Sequence, residues 1–125
     1  MSPRAVGATQ HELSRIGLLA TLSGETLARL AQNMVREDIP AGAGVVSEGE
    51  EGDRFYVVLS GMLAVSQRSR GAQSVLRPGD YFGEVALAMD VPRTATVRAL
   101  TPVTVASCDR ETFDEFIRPL FADDS

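Results

Sequence analysis

The residues best suited to chemistry lie in one window, Phe82-Gly-Glu-Val-Ala-Leu-Ala-Met-Asp-Val-Pro-Arg-Thr-Ala-Thr-Val97. Gly83 allows a backbone turn that other residues avoid and lets a ligand come close to the main chain. Residues 84–89 suffice for one or two helical turns, and the free amides at the start of such a helix favour an anion. Arg93, ten residues after Gly83, adds a permanent charge on a planar fork that suits phosphate, and Thr94 adds a hydroxyl beside it. The window predicts a compact pocket for one phosphate.

Glu84 is unexpected in such a pocket, because a carboxylate repels an anion. Its presence makes sense if it accepts a hydrogen bond from a ligand hydroxyl, such as the 2′-hydroxyl of a ribose. The pair Glu84 and Arg93 then indicates a pocket for a ribose phosphate. A plainer interpretation stays open at this point, in which Gly83 only forms a turn and Glu84 forms an exposed salt bridge with Arg93.

The elements that must position these residues are mostly strands. Glycine and proline recur at short intervals after Met34, and Ser60-Gly61 is a tight reversal between two of the runs that they separate. This turn chemistry indicates an antiparallel sandwich or barrel rather than alternating strands and helices. The seven β-rich runs are Val35–Ile39, Val45–Ser47, Phe55–Ser60, Met62–Arg68, Gln73–Arg77, Thr94–Leu100 and Val103–Cys108.

Helical patterns flank the strands on both sides. A short helix is predicted from about residue 12 to 19, followed by a second one capped by Ser23. Apolar residues at helical spacing give this second helix and the closing helix one buried face each. Asp109 is the expected N-cap of the closing helix, which Pro119 should bend or end. The buried face of the helix capped by Ser23 carries Leu27, Leu30, Ala31 and Met34, and that of the closing helix carries Phe113, Phe116, Ile117 and Leu120.

Composition and charge exclude several classes of protein. The 125 residues suit one domain, and the net charge of −5 makes a DNA- or RNA-binding surface a poor expectation. One His and one Cys cannot supply a zinc site, and no nucleophile–base pair indicates an enzyme. The longest charge-free run, Phe55–Gln67, is shorter than the roughly 20 residues of a membrane span, and no secretory signal is visible. We therefore expect a cytoplasmic, metal-free, non-enzymatic protein.

At these residues the chain resembles the cyclic nucleotide-binding domain family, found in catabolite activator proteins, kinase regulatory subunits and nucleotide-gated channels. The match is to the phosphate-binding cassette, Phe-Gly-Glu-x-Ala-Leu followed by Pro-Arg-Thr-Ala-Thr-Val, and it covers roughly residues 13 to 118. Upstream motifs extend it: Pro40-x-Gly42, Glu48-Gly49, Gly52-Asp53-x-Phe55-Tyr56, Ser60-Gly61 and Pro78-Gly79-Asp80-x-Phe82.

The resemblance implies a fold, a ligand and a set of roles. The fold is a mainly β, antiparallel β-roll (a jelly-roll-like barrel) with an N-terminal helical segment and a C-terminal helix, binding cyclic AMP or cyclic GMP. Glu84 would hold the ribose 2′-hydroxyl and Arg93 the cyclic phosphate. The amides of Gly83, Val85 and Ala86 would complete the phosphate cradle. Thr94 would also touch the phosphate, where a threonine is often linked to tolerance of guanine.

The predicted function is a sensor that transmits ligand occupancy through movement of its flanking helices to a fused or partner effector. The alternative is a roll that binds no nucleotide and serves as an interaction scaffold. Residues 1–10 are expected to be a flexible tail, 11–121 the domain and 122–125 an acidic tail. A long lid helix is missing from this sequence, so either the chain is part of a larger protein or its lid comes from elsewhere. A homodimer also stays open.

Overall fold

Eight strands form two four-stranded antiparallel sheets in a computed structural model that describes residues 8–121. The first sheet has the order β1-β8-β3-β6 and the second has the order β2-β7-β4-β5. The strands are β1 (Val35–Ile39), β2 (Gly44–Val46), β3 (Arg54–Ser60), β4 (Leu63–Gln67), β5 (Gly71–Leu76), β6 (Tyr81–Phe82), β7 (Thr96–Ala99) and β8 (Val103–Asp109). Since most sheet neighbours are not consecutive in sequence, the chain crosses repeatedly between the two sheets, as a β-roll requires.

Helices stand before, within and after the strands. They are α1 (Gln10–Ser14), a 3₁₀ turn (Gly17–Leu19), α2 (Gly24–Ala31), α3 (Glu84–Met89), and a C-terminal helix built from Arg110–Thr112, a π-helical turn Phe113–Ile117, and Arg118–Phe121. Ser23 caps α2 by accepting from the amide of Thr26 at 3.1 Å. Asp109 caps the C-terminal helix by accepting from the amide of Thr112 at 2.9 Å. Both caps satisfy amides that would otherwise lack a partner, as the sequence predicted.

Two apolar clusters hold the layers together. One joins the inner faces of the strands and includes Val58, Leu63 and Val105, all fully buried. The other packs the helices on the first sheet and includes Leu30 and Phe113. Cys108 lies in this second cluster, and burial raises the pKa of its thiol to about 12, so the thiol stays protonated and unreactive at neutral pH.

The mainly β fold with flanking helices is confirmed, with local differences. The first helical piece is not one helix over residues 12–19 but α1 followed by the 3₁₀ turn. The short strand β6 was not predicted. The C-terminal helix does not end at Pro119 but continues to Phe121, after a π-helical turn in which the amide of Arg118 donates to the carbonyl of Phe113.

The predicted tails lie largely outside the described residues, namely 1–7 and 122–125. Of residues 8–10, which were expected in the flexible tail, Thr9 caps α1 and Gln10 begins it. Ala8 is buried and its amide donates to the carbonyl of Met34, while Thr9 and Glu12 cap each other at the start of α1.

Candidate functional site

Gly83 connects β6 to α3 in a conformation that favours glycine. Its φ of 94° and ψ of −6° lie in the left-handed region, where a side chain is strained. A Cβ at this position would also stand 2.8 Å from the carbonyl oxygen of Arg54 and 2.9 Å from Nη1 of Arg93. A side chain at position 83 would therefore be unfavourable for two reasons, because it would strain the turn and because it would occupy the space of the Arg93 guanidinium.

Arg93 is a buried cation held by main-chain oxygens. It is 7% exposed, its Nη2 donates to the carbonyl of Arg54 at 3.0 Å and its Nη1 donates to the carbonyl of Gly83 at 3.2 Å. Among residues 8–121, no carboxylate forms an ion pair with it. A guanidinium has five N–H donors, so these two contacts leave most of its donor capacity for another acceptor.

Burial of an arginine without a carboxylate is energetically unfavourable in the free protein. Accordingly, burial lowers the pKa of Arg93 below its ordinary value, while Tyr56, Asp53 and Glu84 act in the opposite direction. Its neighbours leave the Arg93 side chain little room, since a Cβ on either Gly52 or Gly83 would stand within 3 Å of it. The arrangement suits an anion that arrives from outside the chain and supplies the missing negative charge.

A loop between β2 and β3 wraps the backbone of Arg93. The amide of Gly49 donates to the carbonyl of Arg93 at 2.8 Å, and the amide of Arg93 donates to the carbonyl of Glu50 at 2.8 Å. A Cβ on the buried Gly52 would collide with the Arg93 side chain. Most of residues 48–53 are exposed, and the main chain of this loop positions the arginine.

Glu84 begins α3 and is half-buried at the edge of the same cavity. Burial raises the pKa of its carboxyl above the ordinary value, although its own backbone amide and Arg93 act in the opposite direction. Glu84 forms no ion pair with Arg93 in the described part of the chain. The plainer interpretation of an exposed Glu84–Arg93 salt bridge is therefore wrong.

All six residues predicted for the site line one cavity of about 250 Å³. They are Gly83, Glu84, Val85, Ala86, Arg93 and Thr94. The opposite wall is apolar and comes from four strands, with Val46, Val65, Leu76 and Val97. Ser74 also lines the cavity, and neither it nor Val46 or Leu76 belongs to the motifs that predicted the site. No local motif marks those three, because only the sheet order brings their strands to the cavity.

Tyr81 and Phe82 belong both to the apolar core and to the wall of the cavity. The Phe82 ring stacks on Tyr56 with centroids 4.7 Å apart, and the Tyr81 ring contacts Phe55 and Phe121. Both residues also border the cavity. The cavity is thus charged at the α3 end and apolar along the strands, which suits a ligand with an anionic part and an apolar ring.

Two arginines of the C-terminal helix bind the other end of α3. Arg118 donates from Nη2 to the carbonyl of Leu87 at 3.1 Å and from Nη1 to the carbonyl of Ala88 at 3.3 Å, and Arg110 donates from Nη1 to Leu87 at 3.3 Å. The last carbonyls of a helix have no partner within it and carry partial negative charge, so cations are favourable there. The C-terminal helix is therefore tied directly to the helix that borders the cavity.

Comparison with known proteins decides the family. The sequence pattern of the cyclic nucleotide-binding domain matches residues 36–119. The chain belongs to the cyclic nucleotide-binding domain family. As a family member it is 40% identical over 107 residues to a cAMP-dependent protein kinase regulatory subunit of Debaryomyces hansenii, covering 86% of this chain and 24% of that protein.

Further relatives bind or are named for different nucleotides. A cGMP-dependent protein kinase of Caenorhabditis briggsae is 35% identical over 114 residues, covering 86% of this chain and 15% of that protein. The regulatory domain of Toxoplasma gondii PKA, solved with cAMP, superposes with a TM-score of 0.83 at 28% identity, covering 89% of this chain and 44% of that one. The chain spans less than half the length of each of these relatives.

Two further findings concern what the described residues do not contain. Within residues 8–121, no helix has both the length and the apolar character needed to cross a bilayer. In the same part of the chain, no group of three or more His, Cys, Asp or Glu side chains is placed to hold a metal ion.

Proposed function

We propose that this domain senses a cyclic nucleotide, cAMP or cGMP, and performs no chemical step of its own. The observation that carries the proposal is the buried Arg93 guanidinium, which has two main-chain acceptors and no ion pair in the described chain. The cyclic phosphate is a compact anion that accepts hydrogen bonds on its two free oxygens, and a guanidinium binds such a group with two parallel bonds. Titration with cyclic and linear nucleotides tests the proposal directly.

Main-chain amides complete the phosphate contact in this proposal. The first amides of α3 have no partner inside the helix, so those of Val85 and Ala86, with that of Gly83, are available to the phosphate oxygens. Thr94 is exposed beside Arg93, and its hydroxyl is the remaining side-chain donor that we assign to the phosphate. A threonine here would also tolerate guanine, so we propose both purines as ligands.

The size of the cavity bears on how much of the ligand it covers. At about 250 Å³ it is smaller than the roughly 300–1,000 Å³ of pockets that enclose most of a ligand's surface. The charged end takes the ribose phosphate, and the apolar wall takes one side of the base. The other side of the base then stays open to a further segment that closes over it.

Glu84 is proposed to accept a hydrogen bond from the ribose 2′-hydroxyl. Replacing Glu84 with Gln keeps the shape but removes the charge, and we expect about tenfold weaker binding of the parent nucleotide. A 2′-deoxy cyclic nucleotide lacks the donor, so its affinity should be nearly equal in the wild type and the variant. Calorimetry with both ligands measures the four affinities, and a 2′-deoxy ligand that binds wild type as tightly as the parent contradicts the role.

The raised pKa of Glu84 gives this contact a pH dependence. The free carboxyl takes up a proton at a higher pH than an ordinary glutamate, so affinity should be full near neutral pH and fall as the pH drops through that pKa. Because burial disfavours the charged form, the same carboxylate lowers the stability of the free protein above that pKa. Glu84→Gln should therefore flatten the pH profile without lowering the free energy of unfolding at neutral pH.

Signal transmission is proposed to use the contacts between α3 and the C-terminal helix. A ligand that draws α3 toward its phosphate also moves the carbonyl groups to which Arg110 and Arg118 donate hydrogen bonds. The ligand therefore binds more tightly when the C-terminal helix is in one position than when it is in another. This difference in affinity raises the fraction of molecules whose helix is in the tighter-binding position. Asp114 holds Arg118 in place by an ion pair of 2.9 Å along the same helix.

Arg118→Gln tests this link. We expect a threefold to tenfold loss of affinity, roughly the value of one or two half-exposed charged hydrogen bonds, and a smaller ligand-induced slowing of hydrogen exchange in residues 110–121. Arg29→Gln is the matched control, because Arg29 pairs with Glu115 of the C-terminal helix at 3.3 Å but forms no ion pair with α3 within residues 8–121. Equal effects of the two substitutions on affinity and on exchange would contradict the link.

The effector and the location are part of the proposal. Since the chain spans only 24% of the regulatory subunit that it resembles at 40% identity, we propose that the domain controls a fused or partner effector. A single cysteine that is free and buried suits the reducing cytoplasm, where we place the protein. Self-association as a homodimer stays a prediction.

The scaffold alternative is disfavoured by the same arginine. A roll that binds no anion has no use for a buried cation without an ion pair, and an apolar residue of similar volume would be more stable there. Three features fit a ligand site better than a packing site: the buried Arg93 cation, the left-handed conformation of Gly83 and the absence of a side chain at Gly52.

A further inference from the structure

A second cavity, larger than the first, lies between α1 and one end of the β-roll. Its volume is about 440 Å³, against about 250 Å³ for the nucleotide cavity, and the two share no lining residue. We call it the α1 cleft. One wall is α1 with its C-cap Arg15, and the other is formed by β1, β8, the end of β3 and the turn at Pro78-Gly79.

The charge of the α1 cleft is positive on an otherwise acidic chain. Arg15 and Arg36 both line it, against one carboxylate, that of Glu12. Glu12 is already divided between two partners, since its Oε1 accepts from the amide of Thr9 at 3.0 Å and its Oε2 lies 3.0 Å from Nε of Arg36. His11 is the remaining titratable side chain in the lining. One positive charge is therefore left over, although the whole chain carries −5.

Arg36 is half-buried and Arg15 is exposed at the rim of the cleft, so most of their donors face solvent. Nε of Arg36 is buried, and its geometry toward Glu12 is too poor for a hydrogen bond. Apart from the approach of Arg36 to Glu12, neither guanidinium forms an ion pair within residues 8–121. A planar group with free N–H donors on one edge is suited to a carboxylate or a similar oxyanion.

A β-bulge opens the sheet wall of the same cleft. Val58 pairs with Val105 and Ser60 with Thr104, so Leu59 has no counterpart in β8. A bulge leaves its extra residue outside the ladder and re-aims the backbone, and such irregularities are enriched next to binding sites. Leu59 and Ser60 line the cleft, as do the apolar Ile16 and Pro78. The cleft therefore combines a cationic rim with apolar walls.

We propose that the α1 cleft binds a small organic carboxylate, with the carboxylate at Arg15 and Arg36 and an apolar body against Leu59 and Pro78. The site is independent of the nucleotide cavity and does not rest on the sensor function. A bare inorganic anion would leave the apolar walls unused, and an uncharged molecule would leave the guanidinium donors unused. Both parts of the ligand are therefore required for full affinity.

The test is an NMR titration of the ¹⁵N-labelled chain with hexanoate, acetate, 1-hexanol and inorganic phosphate as separate probes. Hexanoate should give saturable shifts at the amides of Leu59, Ser60, Gly61 and Gly79, while the amides of Gly83 and Ala86 stay unmoved. Acetate, 1-hexanol and phosphate should each bind at least about fivefold more weakly. A failure of hexanoate to saturate these amides, or equal binding of any other probe, overturns the proposal.

Substitutions assign the charge. Arg15→Gln and Arg36→Gln should each weaken hexanoate about fivefold, the loss expected for one half-exposed ion pair. Arg70→Gln, an exposed arginine outside the cleft, is the matched control and should change nothing. If Arg36→Gln fails to fold because Glu12 loses its partner, Arg15→Gln decides alone. Unchanged hexanoate affinity in Arg15→Gln overturns the proposal whatever the cyclic nucleotide titration gives.

Discussion

Replacing Arg93 with Gln is expected to lower the affinity for cyclic nucleotide at least about 100-fold, because the cyclic phosphate loses its one fully charged partner. The free energy of unfolding of the unliganded variant should stay within about 1 kcal/mol of wild type. Loss of two main-chain hydrogen bonds is offset by removal of a buried cation that has no ion pair in the described chain.

Arg98→Gln is the matched control for this variant. Arg98 also donates to a main-chain carbonyl, that of Gly42 at 2.8 Å, but it is exposed and lies outside the cavity. Calorimetric titration should find its nucleotide affinity unchanged, and urea unfolding should find both variants folded. An Arg93→Gln protein that binds as tightly as Arg98→Gln would refute the role of Arg93.

Replacing Gly83 with Ala should damage stability and binding together. The left-handed φ costs roughly 1 kcal/mol for a side chain, and the new Cβ must also displace the carbonyl of Arg54 or the guanidinium of Arg93. We expect the free energy of unfolding to fall by about 2–3 kcal/mol. Affinity should fall more than tenfold, since the guanidinium cannot keep its position.

Gly42→Ala separates the two causes. Gly42 has a similar φ of 89°, but a Cβ there would meet nothing within 4 Å. It should lose roughly 1 kcal/mol of stability and no affinity. Urea unfolding and calorimetry on both variants measure this difference, and equal stability losses would show that the close contacts at Gly83 are of no consequence.

The cassette was predictable from sequence because its geometry is local. Gly83, Glu84 and Arg93 lie within eleven consecutive positions, so a glycine turn and a short helix bring them near one another, and the main chain of residues 48–53 then holds Arg93 in place. The apolar wall was not predictable in the same way. Val46 and Leu76 reach the cavity through the pairing of β2 with β7 and of β5 with β4, which no short spacing reveals.

The contacts of residues 48–53 with Arg93 were not predictable from the charge pattern of that segment. Residues 48–53 are rich in acids and glycine, which is typical of a solvated turn. The main chain of this segment binds Arg93 through the amide of Gly49 and the carbonyl of Glu50, and the absence of a side chain at Gly52 leaves room for the arginine. Side-chain types do not indicate such main-chain contacts, and the partner, Arg93, lies some forty residues further along the chain.

Pro119 was expected to bend or end the C-terminal helix, and it does not end it. Proline at position 119 has no amide to donate and crowds the carbonyl four residues back, so an uninterrupted α-helix is excluded. The chain meets this constraint by widening into the π-helical turn Phe113–Ile117, and then continues as α-helix to Phe121. The continued helix is what brings Arg118 to the end of α3.

The most direct test is calorimetric titration of the purified chain with cAMP, cGMP and linear 5′-AMP. The account predicts saturable, one-to-one binding of at least one cyclic nucleotide at micromolar affinity, about −8 kcal/mol, from a few charge-assisted bonds and partial burial of the base. Linear AMP should bind far more weakly, because its phosphate is not cyclised and carries two negative charges, whereas the cavity offers one guanidinium. Tighter binding of the linear nucleotide, or heat from none of the three, would contradict a receptor for cyclic messengers.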